Sequence, residues 1–260
     1  MQAFGLRYPP FADTFDVQTP FQSAAESLIV QRALTLLRQG RSLALYGEAG
    51  TGKSMMIKAV LNELDPKAFR VGIIPYGGIK PSVLLRDLCD EFDIDTAGRK
   101  SPLSRLAADF RPAQEKPFPV IIVDEAHEMQ KQSFLDLCSL LHDASTRTAA
   151  AALILVGQPV LKKMLELDIF TPVRTRLTCL FPMPKLSLED SVEFVTYRMN
   201  IAHVDPNIFE NDAVTSIAVD AKGNKRILMN LATLCLEEAA RREEKVVTNE
   251  IVAELTQLIM

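Results

Sequence analysis

Eight consecutive residues, Gly47-Glu48-Ala49-Gly50-Thr51-Gly52-Lys53-Ser54, constrain the fold of this chain more than any others. They follow a short aliphatic run, Leu43-Ala44-Leu45-Tyr46, and lead into a segment whose Ile57, Val60, Leu61 and Leu64 recur at helical spacing. The pattern G-x-x-x-x-G-K-[ST] between a strand and a helix is a phosphate-binding loop. Glycine tolerates the backbone angles that curl such a loop until its N–H groups point inward at phosphate oxygens. The helix N-terminus adds partial positive charge, Lys53 adds a full one near the β- and γ-phosphates, and Ser54 offers a ligand to Mg²⁺. The sequence therefore predicts a nucleoside triphosphate site made of Gly47, Glu48, Ala49, Gly50, Thr51, Gly52, Lys53 and Ser54, with Met55 beside it.

The strand before this loop is one of several short apolar runs, at residues 43–46, 71–74, 120–123, 153–156 and, more weakly, 178–181. Each is continuous rather than alternating, as in a parallel sheet covered on both faces, and helical stretches lie between them. The rhythm predicts a three-layer α/β domain. The run Val120-Ile121-Ile122-Val123 ends in Asp124-Glu125, at the carboxyl end of a strand, where open α/β sheets bind ligands. Asp124 there is expected to hold Mg²⁺ through water, and Glu125 to polarise an attacking water. The plainer reading of Glu125 is an acid at a helix start, interacting with the helix dipole.

After Pro184 the strand signal stops. Ser187 is expected to cap a helix carrying Leu188, Val192, Val195 and Met199; residues 207–219 read as a second helix and 224–242 as a third. Thr248 is expected to cap a fourth, carrying Ile251, Val252, Leu255 and Leu258. Pro182 and Pro184 mark the junction to this small all-α domain. The expected division is a leading segment and helix over 1–40, a sheet domain over 41–185 and a helical lid over 186–260.

The whole chain has 260 residues, 48% of them hydrophobic and 24% charged, which excludes disorder and a disulfide scaffold. Cys89, Cys138, Cys179 and Cys235 form no C-x-x-C pair and read as buried reduced thiols rather than as a metal site. No signal peptide or membrane span is expected, since the longest apolar run covers residues 149–156, so the expectation is a soluble, cytoplasmic chain. Net charge is −4, so any contact with nucleic acid has to come from a local patch or from assembly.

Further polar residues fall where phosphate chemistry would use them. If its strand lies between those leading to Lys53 and Asp124, Gln158 can sense the γ-phosphate or the lytic water; otherwise it is a turn residue before Pro159. Arg174 and Arg176 can reach a neighbouring subunit's phosphate as an arginine finger, or lie solvated on the surface. Arg226, at the start of the third helix of the small domain, can couple that domain to phosphate state, or simply pair at the surface. Asp124-Glu125-Ala126-His127 also spell the helicase DEAH box, but that reading needs a second RecA-like domain, for which no room is expected after residue 184.

Several of these segments together resemble one family. Phe4-Gly5-Leu6 with Pro10-Phe11, the phosphate loop, Val123-Asp124-Glu125-Ala126-His127, residues 155–161, residues 174–177 and Gly223-Asn224-Lys225-Arg226 follow the order of the ExeA-like AAA+ ATPases. The resemblance implies a P-loop fold of the ASCE type with a C-terminal lid, ATP and Mg²⁺ as cofactors, ATP hydrolysis, and residues 4–11 beside the adenine. Two departures bear on the second sensor: Lys225 stands where the family has proline, and Met229 where it has asparagine, with Asn230 one further on.

The family contains membrane-anchored secretion ATPases and stand-alone regulators of DNA transposition similar to TnsC, TniB and MuB. With the lid helices expected to end the chain and no membrane span expected, the second group is the closer likeness. That likeness implies a homo-oligomer, ring or helical, that assembles with ATP on double-stranded DNA and regulates or recruits a transposase, with hydrolysis driving disassembly. Lys80, Arg99, Lys100 and Arg105 are the candidate DNA contacts, the alternative being a solvated polar face. Two other functions stay open: a soluble ATPase for a secretion or envelope machine, and a nucleotide-gated binding switch with little turnover.

Overall fold

The computed structural model describes residues 9–12, 17–75, 77–112, 116–143, 145–146 and 148–256. The motif residues Phe4, Gly5 and Leu6, and Leu258 of the last expected helix, lie outside them. The chain forms two compact units: Glu26–Ala49 with Lys53–Met183, and Met1–Ala25 with Gly50–Gly52 and Pro184–Met260.

The first unit is built on five parallel strands, β1 (Ser42–Tyr46), β2 (Phe69–Ile74), β3 (Phe118–Val123), β4 (Ala152–Gly157) and β5 (Leu177–Pro182), in the order β2-β3-β4-β1-β5. Successive residues of a strand point to opposite faces. Leu43, Leu45, Val120, Ile122, Ile154 and Val156 enter one core, with α1 (Ala24–Arg38) and α2 (Lys53–Glu63). Ala44, Ile121, Val123, Leu153 and Leu155 enter the other, with α3 (Pro81–Glu91), α4 (Pro102–Asp109), α5 (Lys131–Leu140), α6 (Pro159–Glu166) and α7 (Thr171–Arg174). Both faces are covered, which is why the strands read as unbroken apolar runs. The expected three-layer α/β sheet is the observed one, and each strand extends the apolar run by a residue or two at its ends.

Edge strand β2 carries a charged residue into this packing. Arg70 lies over the rings of Phe92 (5.2 Å) and Phe110 (5.4 Å) and pairs with Asp109, which also receives Lys116 at 3.0 Å. Burial pushes the Asp109 carboxyl up, but the hydrogen bonds from Arg70 and Lys116 outweigh it and hold the group below its ordinary range.

The second unit packs α8 (Leu188–Ile201), α9 (Asn211–Ala221), α10 (Lys225–Arg241) and α11 (Asn249–Thr256) around a core that includes Phe194, Met199, Ile217, Leu228, Cys235 and Ile251. Ser187 caps α8 in a capping box: its Oγ accepts from the Asp190 N–H at 3.0 Å, and Asp190 Oδ2 accepts from the Ser187 N–H at 3.3 Å. The helix expected over 207–219 begins later. Asp205 caps a single 3₁₀ turn at Pro206–Ile208, and Phe209 then runs extended to bridge Val247. Ile208 O accepts from the Val247 N–H and Val247 O from the Glu210 N–H, so this backbone cannot also close helical hydrogen bonds. Phe11 is buried here, edge-on to Phe209 at 6.1 Å. Arg198 fixes the strand of chain around it, donating from Nε to Pro10 O (2.8 Å) and from Nη2 to Ala12 O (3.0 Å).

All four cysteines are free. Burial pushes the thiols of Cys138 and Cys235 up to about 11 and about 12. Among the described residues no helix is long and apolar enough to cross a membrane.

Candidate functional site

Parallel register sets the site. Tyr46 pairs with Gly157, and Val123 pairs with Ile74 and Leu155, so β1, β3 and β4 end together at the carboxyl edge of the sheet. The phosphate loop leaves β1 there, Asp124-Glu125 leave β3, and Gln158 leaves β4. Strand β4 lies between β1 and β3, which meets the condition set for Gln158.

Lys53 opens α2, and its side chain is folded into the loop, with Nζ donating to Gly47 O and Glu48 O at 3.0 Å each. The ammonium is thus held over the inside of the curl, although the residue is only 7% exposed. Ser54, next along the helix, is exposed and donates from Oγ to Asp124 Oδ2 at 3.3 Å, joining the loop to the end of β3. The other carboxylate oxygen of Asp124 accepts from the Glu125 N–H at 2.8 Å. A hydroxyl and a carboxylate oxygen already in contact fit Mg²⁺, which takes one or two protein ligands and keeps waters and substrate phosphates for the rest. Among the described residues no group of three or more His, Cys, Asp or Glu forms a different metal site.

Glu125 adopts left-handed backbone angles, φ 46° and ψ 38°, which cost a non-glycine residue about 1–2 kcal/mol. The Ala126–Glu128 turn follows, with the Glu128 N–H donating to Glu125 O at 2.9 Å. Strain of this kind marks a residue held in place by its surroundings. The side chain is 38% exposed, while its Oε2 is buried and has no hydrogen bond. His127 Nδ1 lies 3.2 Å from that oxygen and accepts a hydrogen bond from the Gln158 N–H at 3.5 Å.

The three residues Gly50–Gly52 belong to the helical unit. Gly50 (φ +79°) and Gly52 (φ +97°) both need left-handed backbone. Gly50 O accepts from the Arg226 N–H at 3.1 Å. Asn224 caps α10, its Oδ1 accepting from the N–H groups of Arg226 (3.1 Å) and Ile227 (3.2 Å). A Cβ on Gly50 would lie 2.5 Å from Asn224 Oδ1, and one on Gly52 would lie 3.3 Å from Lys225 Nζ. Lys225 is buried with its ammonium over the rings of Phe21 (5.7 Å) and Phe194 (5.8 Å), an environment a proline would not provide. Thr51 is buried, whereas Arg226 is exposed.

The remaining expected residues are not gathered at the loop. Arg174 and Arg176 are exposed, with Nη1 of each on a backbone carbonyl of its own segment, Glu166 O at 3.1 Å and Pro172 O at 3.2 Å. Lys80 is exposed at the N-terminus of α3, and Arg99 and Lys100 are exposed before α4. Arg105 is turned back onto that loop, donating to the carbonyls of Asp95 (2.7 Å), Ala97 and Lys100 (3.3 Å), so its guanidinium holds the loop's shape. In the sequence Asn224 and His127 stand only as members of motifs, with no role of their own. Asparagine before a helix is a sequence-level cap signal, whereas the place of His127 depends on how the turn after β3 folds back towards β4.

A family model described as AAA domain matches residues 36–165. The general secretion pathway protein A of Aeromonas hydrophila is 26% identical over 263 residues, an alignment covering 96% of this chain and 47% of that protein. The chain thus spans about half the length of this curated relative. Among solved structures, Cdc6p from Pyrobaculum aerophilum superposes with a TM-score of 0.76 at 14% identity, over 96% of this chain and 70% of that one. The Aeropyrum pernix ORC1 protein, solved in complex with DNA, gives 0.71 at 17% identity, over 96% and 68%. At these identities the likeness is one of fold.

Proposed function

The chain belongs to the AAA domain family, and on that premise we propose that it is an ATPase whose nucleotide state controls assembly of its own copies on double-stranded DNA. Through that assembly it recruits or regulates a transposase. One observation carries the nucleotide part: Lys53 folded into the phosphate loop, with Ser54 in contact with Asp124 across the carboxyl edge of the sheet. In this reading residues 41–185 are the ATPase core, 186–260 a helical domain that responds to nucleotide, and 1–40 a leading segment.

Backbone amides of Gly47 to Ser54 and the Lys53 ammonium hold the phosphates, with Met55 beside them. Ser54 and Asp124 would hold Mg²⁺, which would supply positive charge against the phosphates. Glu125 takes a proton from water as the water oxygen attacks the terminal phosphorus and the bond to the bridging oxygen breaks, giving ADP and phosphate. Gln158 orients that water. Arg176, with Arg174 beside it, neutralises charge on a neighbouring copy's nucleotide, and Arg226 ties the helical domain to phosphate state. Lys80, Arg99 and Lys100 meet DNA phosphates, and Arg105 supports the last two by holding their loop. A shared fold with a protein solved on DNA supports the DNA part, and the transposase rests on resemblance to stand-alone regulators. The reading requires a cytoplasmic chain.

The Aeromonas relative favours a second reading, an ATPase serving a secretion or envelope machine. Fluorescence anisotropy on duplex DNA with ATP, a slowly hydrolysed analogue or ADP, across a salt series, separates the two when run beside phosphate release. The first reading expects triphosphate-dependent binding that falls steeply with salt, and turnover that drops on the order of a hundredfold or more in Glu125→Gln. Turnover without DNA binding supports the secretion reading. Nucleotide binding without turnover overturns both in favour of a nucleotide-gated switch.

A further inference from the structure

The hydrolytic reading of Glu125 leaves its nearest polar neighbour without a task. The His127 ring is 12% exposed, and its Nδ1 lies 3.2 Å from Glu125 Oε2. That oxygen is fully buried and receives no hydrogen bond, a costly state for a carboxylate. Solvent therefore reaches the carboxylate from the Oε1 side. The backbone of Glu125 is fixed by its N–H on Asp124 Oδ1 and by its carbonyl on the Glu128 N–H, so the freedom left to this residue lies in its side chain.

The same Nδ1 accepts a hydrogen bond from the Gln158 N–H, just past the end of β4, at 3.5 Å. Gly157 keeps that space open, since a Cβ there would lie 3.3 Å from Nδ1. A neutral imidazole carries one N–H and one lone pair. With its proton on Nδ1, a small rotation of the ring makes His127 a donor to Oε2. With the proton on Nε2, Nδ1 is an acceptor for Gln158 instead. One nitrogen cannot serve both neighbours at once.

Resting on the hydrolytic reading, we propose that His127 is the positioning residue of Glu125: Nδ1 anchors Oε2 so that Oε1 faces the attacking water. The competing Gln158 N–H makes this anchor responsive to the backbone that follows β4. The carboxylate is held when the ring donates to it and released when the ring accepts from Gln158, which is the arrangement in this structure.

The test compares His127→Ala, His127→Asn and His127→Gln with the wild type in steady-state ATP turnover, in nucleotide affinity measured separately, and in thermal melting. Asparagine returns a polar atom close to the place of Nδ1, whereas glutamine extends towards the place of Nε2. The expected result is a kcat lower on the order of tenfold to a hundredfold in the alanine and glutamine variants, substantial recovery in the asparagine variant, and unchanged KM and ATP affinity in all three. An unchanged kcat in His127→Ala overturns the proposal, as does equal recovery by asparagine and glutamine, or a loss that follows ATP affinity or melting temperature. Absence of turnover in the wild type, read in the same assay, overturns the hydrolytic reading itself.

Discussion

Replacing Gly50 by alanine tests how the apex of the phosphate loop is held. At φ +79° an alanine costs about 1–2 kcal/mol, because Cβ crowds the following carbonyl. That Cβ would also lie 2.5 Å from Asn224 Oδ1 and 2.7 Å from Arg226 Cβ, closer than atoms pack. Asn224 is the short, movable partner, and moving it breaks its two hydrogen bonds to the first turn of α10. Loss of such a cap costs about 1 kcal/mol. Gly50→Ala should therefore destabilise the helical unit by about 2–3 kcal/mol, and Asn224→Ala alone by about 1 kcal/mol. In the double variant the cap is already gone, so its cost should match Gly50→Ala, with a coupling of about −1 kcal/mol. Urea unfolding of the four proteins, followed by a probe placed in α10, supplies the cycle. Additive losses would refute a displaced cap, and an unchanged Gly50→Ala variant would refute the packing at the loop apex altogether.

Gly223→Ala places a Cβ 2.3 Å from Leu186 O at φ +75°, against backbone that cannot swing away; a loss of about 3 kcal/mol or more is expected in denaturant unfolding, and near-neutral behaviour would sink the argument. Asp109 has its carboxyl depressed in the fold, so the stability it contributes is full above the unfolded aspartate value of about 3.9 and fades as pH falls through the lower folded value. The gap in melting temperature between wild type and Asp109→Asn should accordingly be largest at neutral pH and close in acid; a pH-independent gap would contradict the pairing with Arg70 and Lys116. Cys138 and Cys235, with thiols at about 11 and about 12, should resist a thiol reagent at pH 8 in the native protein and react once it is unfolded. Rapid native-state labelling of either would argue against their burial.

Much of this was legible in the residues because the fold repeats one device. Strands enclosed on both faces write themselves as unbroken apolar runs, and Val120-Ile121-Ile122-Val123 and Leu153-Ile154-Leu155-Val156 are the clearest cases. Ser187 announced α8 because its cap partner, Asp190, is three residues away. The sequence misleads where a distant backbone intervenes: nothing near Phe209 shows that Val247 will claim its neighbours' hydrogen bonds, so the pattern points to a helix from 207 where α9 begins at Asn211. Lys225 read only as a departure from a motif. Its setting over two rings depends on Phe21 and Phe194, brought from far along the chain. The approach of His127 to Glu125 is local in sequence, but it is set by a left-handed turn at a glutamate that no propensity favours.

The position of β1 in the sheet has a cost in time. Of the strands of this sheet it is the first synthesised, yet both its partners, β4 and β5, come much later; the Ser42 hydroxyl accepts from the Leu153 N–H across a separation of 111 residues. At about 5–20 residues per second, a ribosome takes on the order of ten seconds to supply the nearer partner. Throughout that interval both edges of β1 carry unpaired N–H and C=O groups, a template for the strand of another nascent chain. Its earliest cover must come from the helices already made, α1 and α2, whose Leu37 and Val60 share the finished core with Leu43 and Leu45. The segment that ends up among the most enclosed in the sheet is thus the one that waits longest in the open.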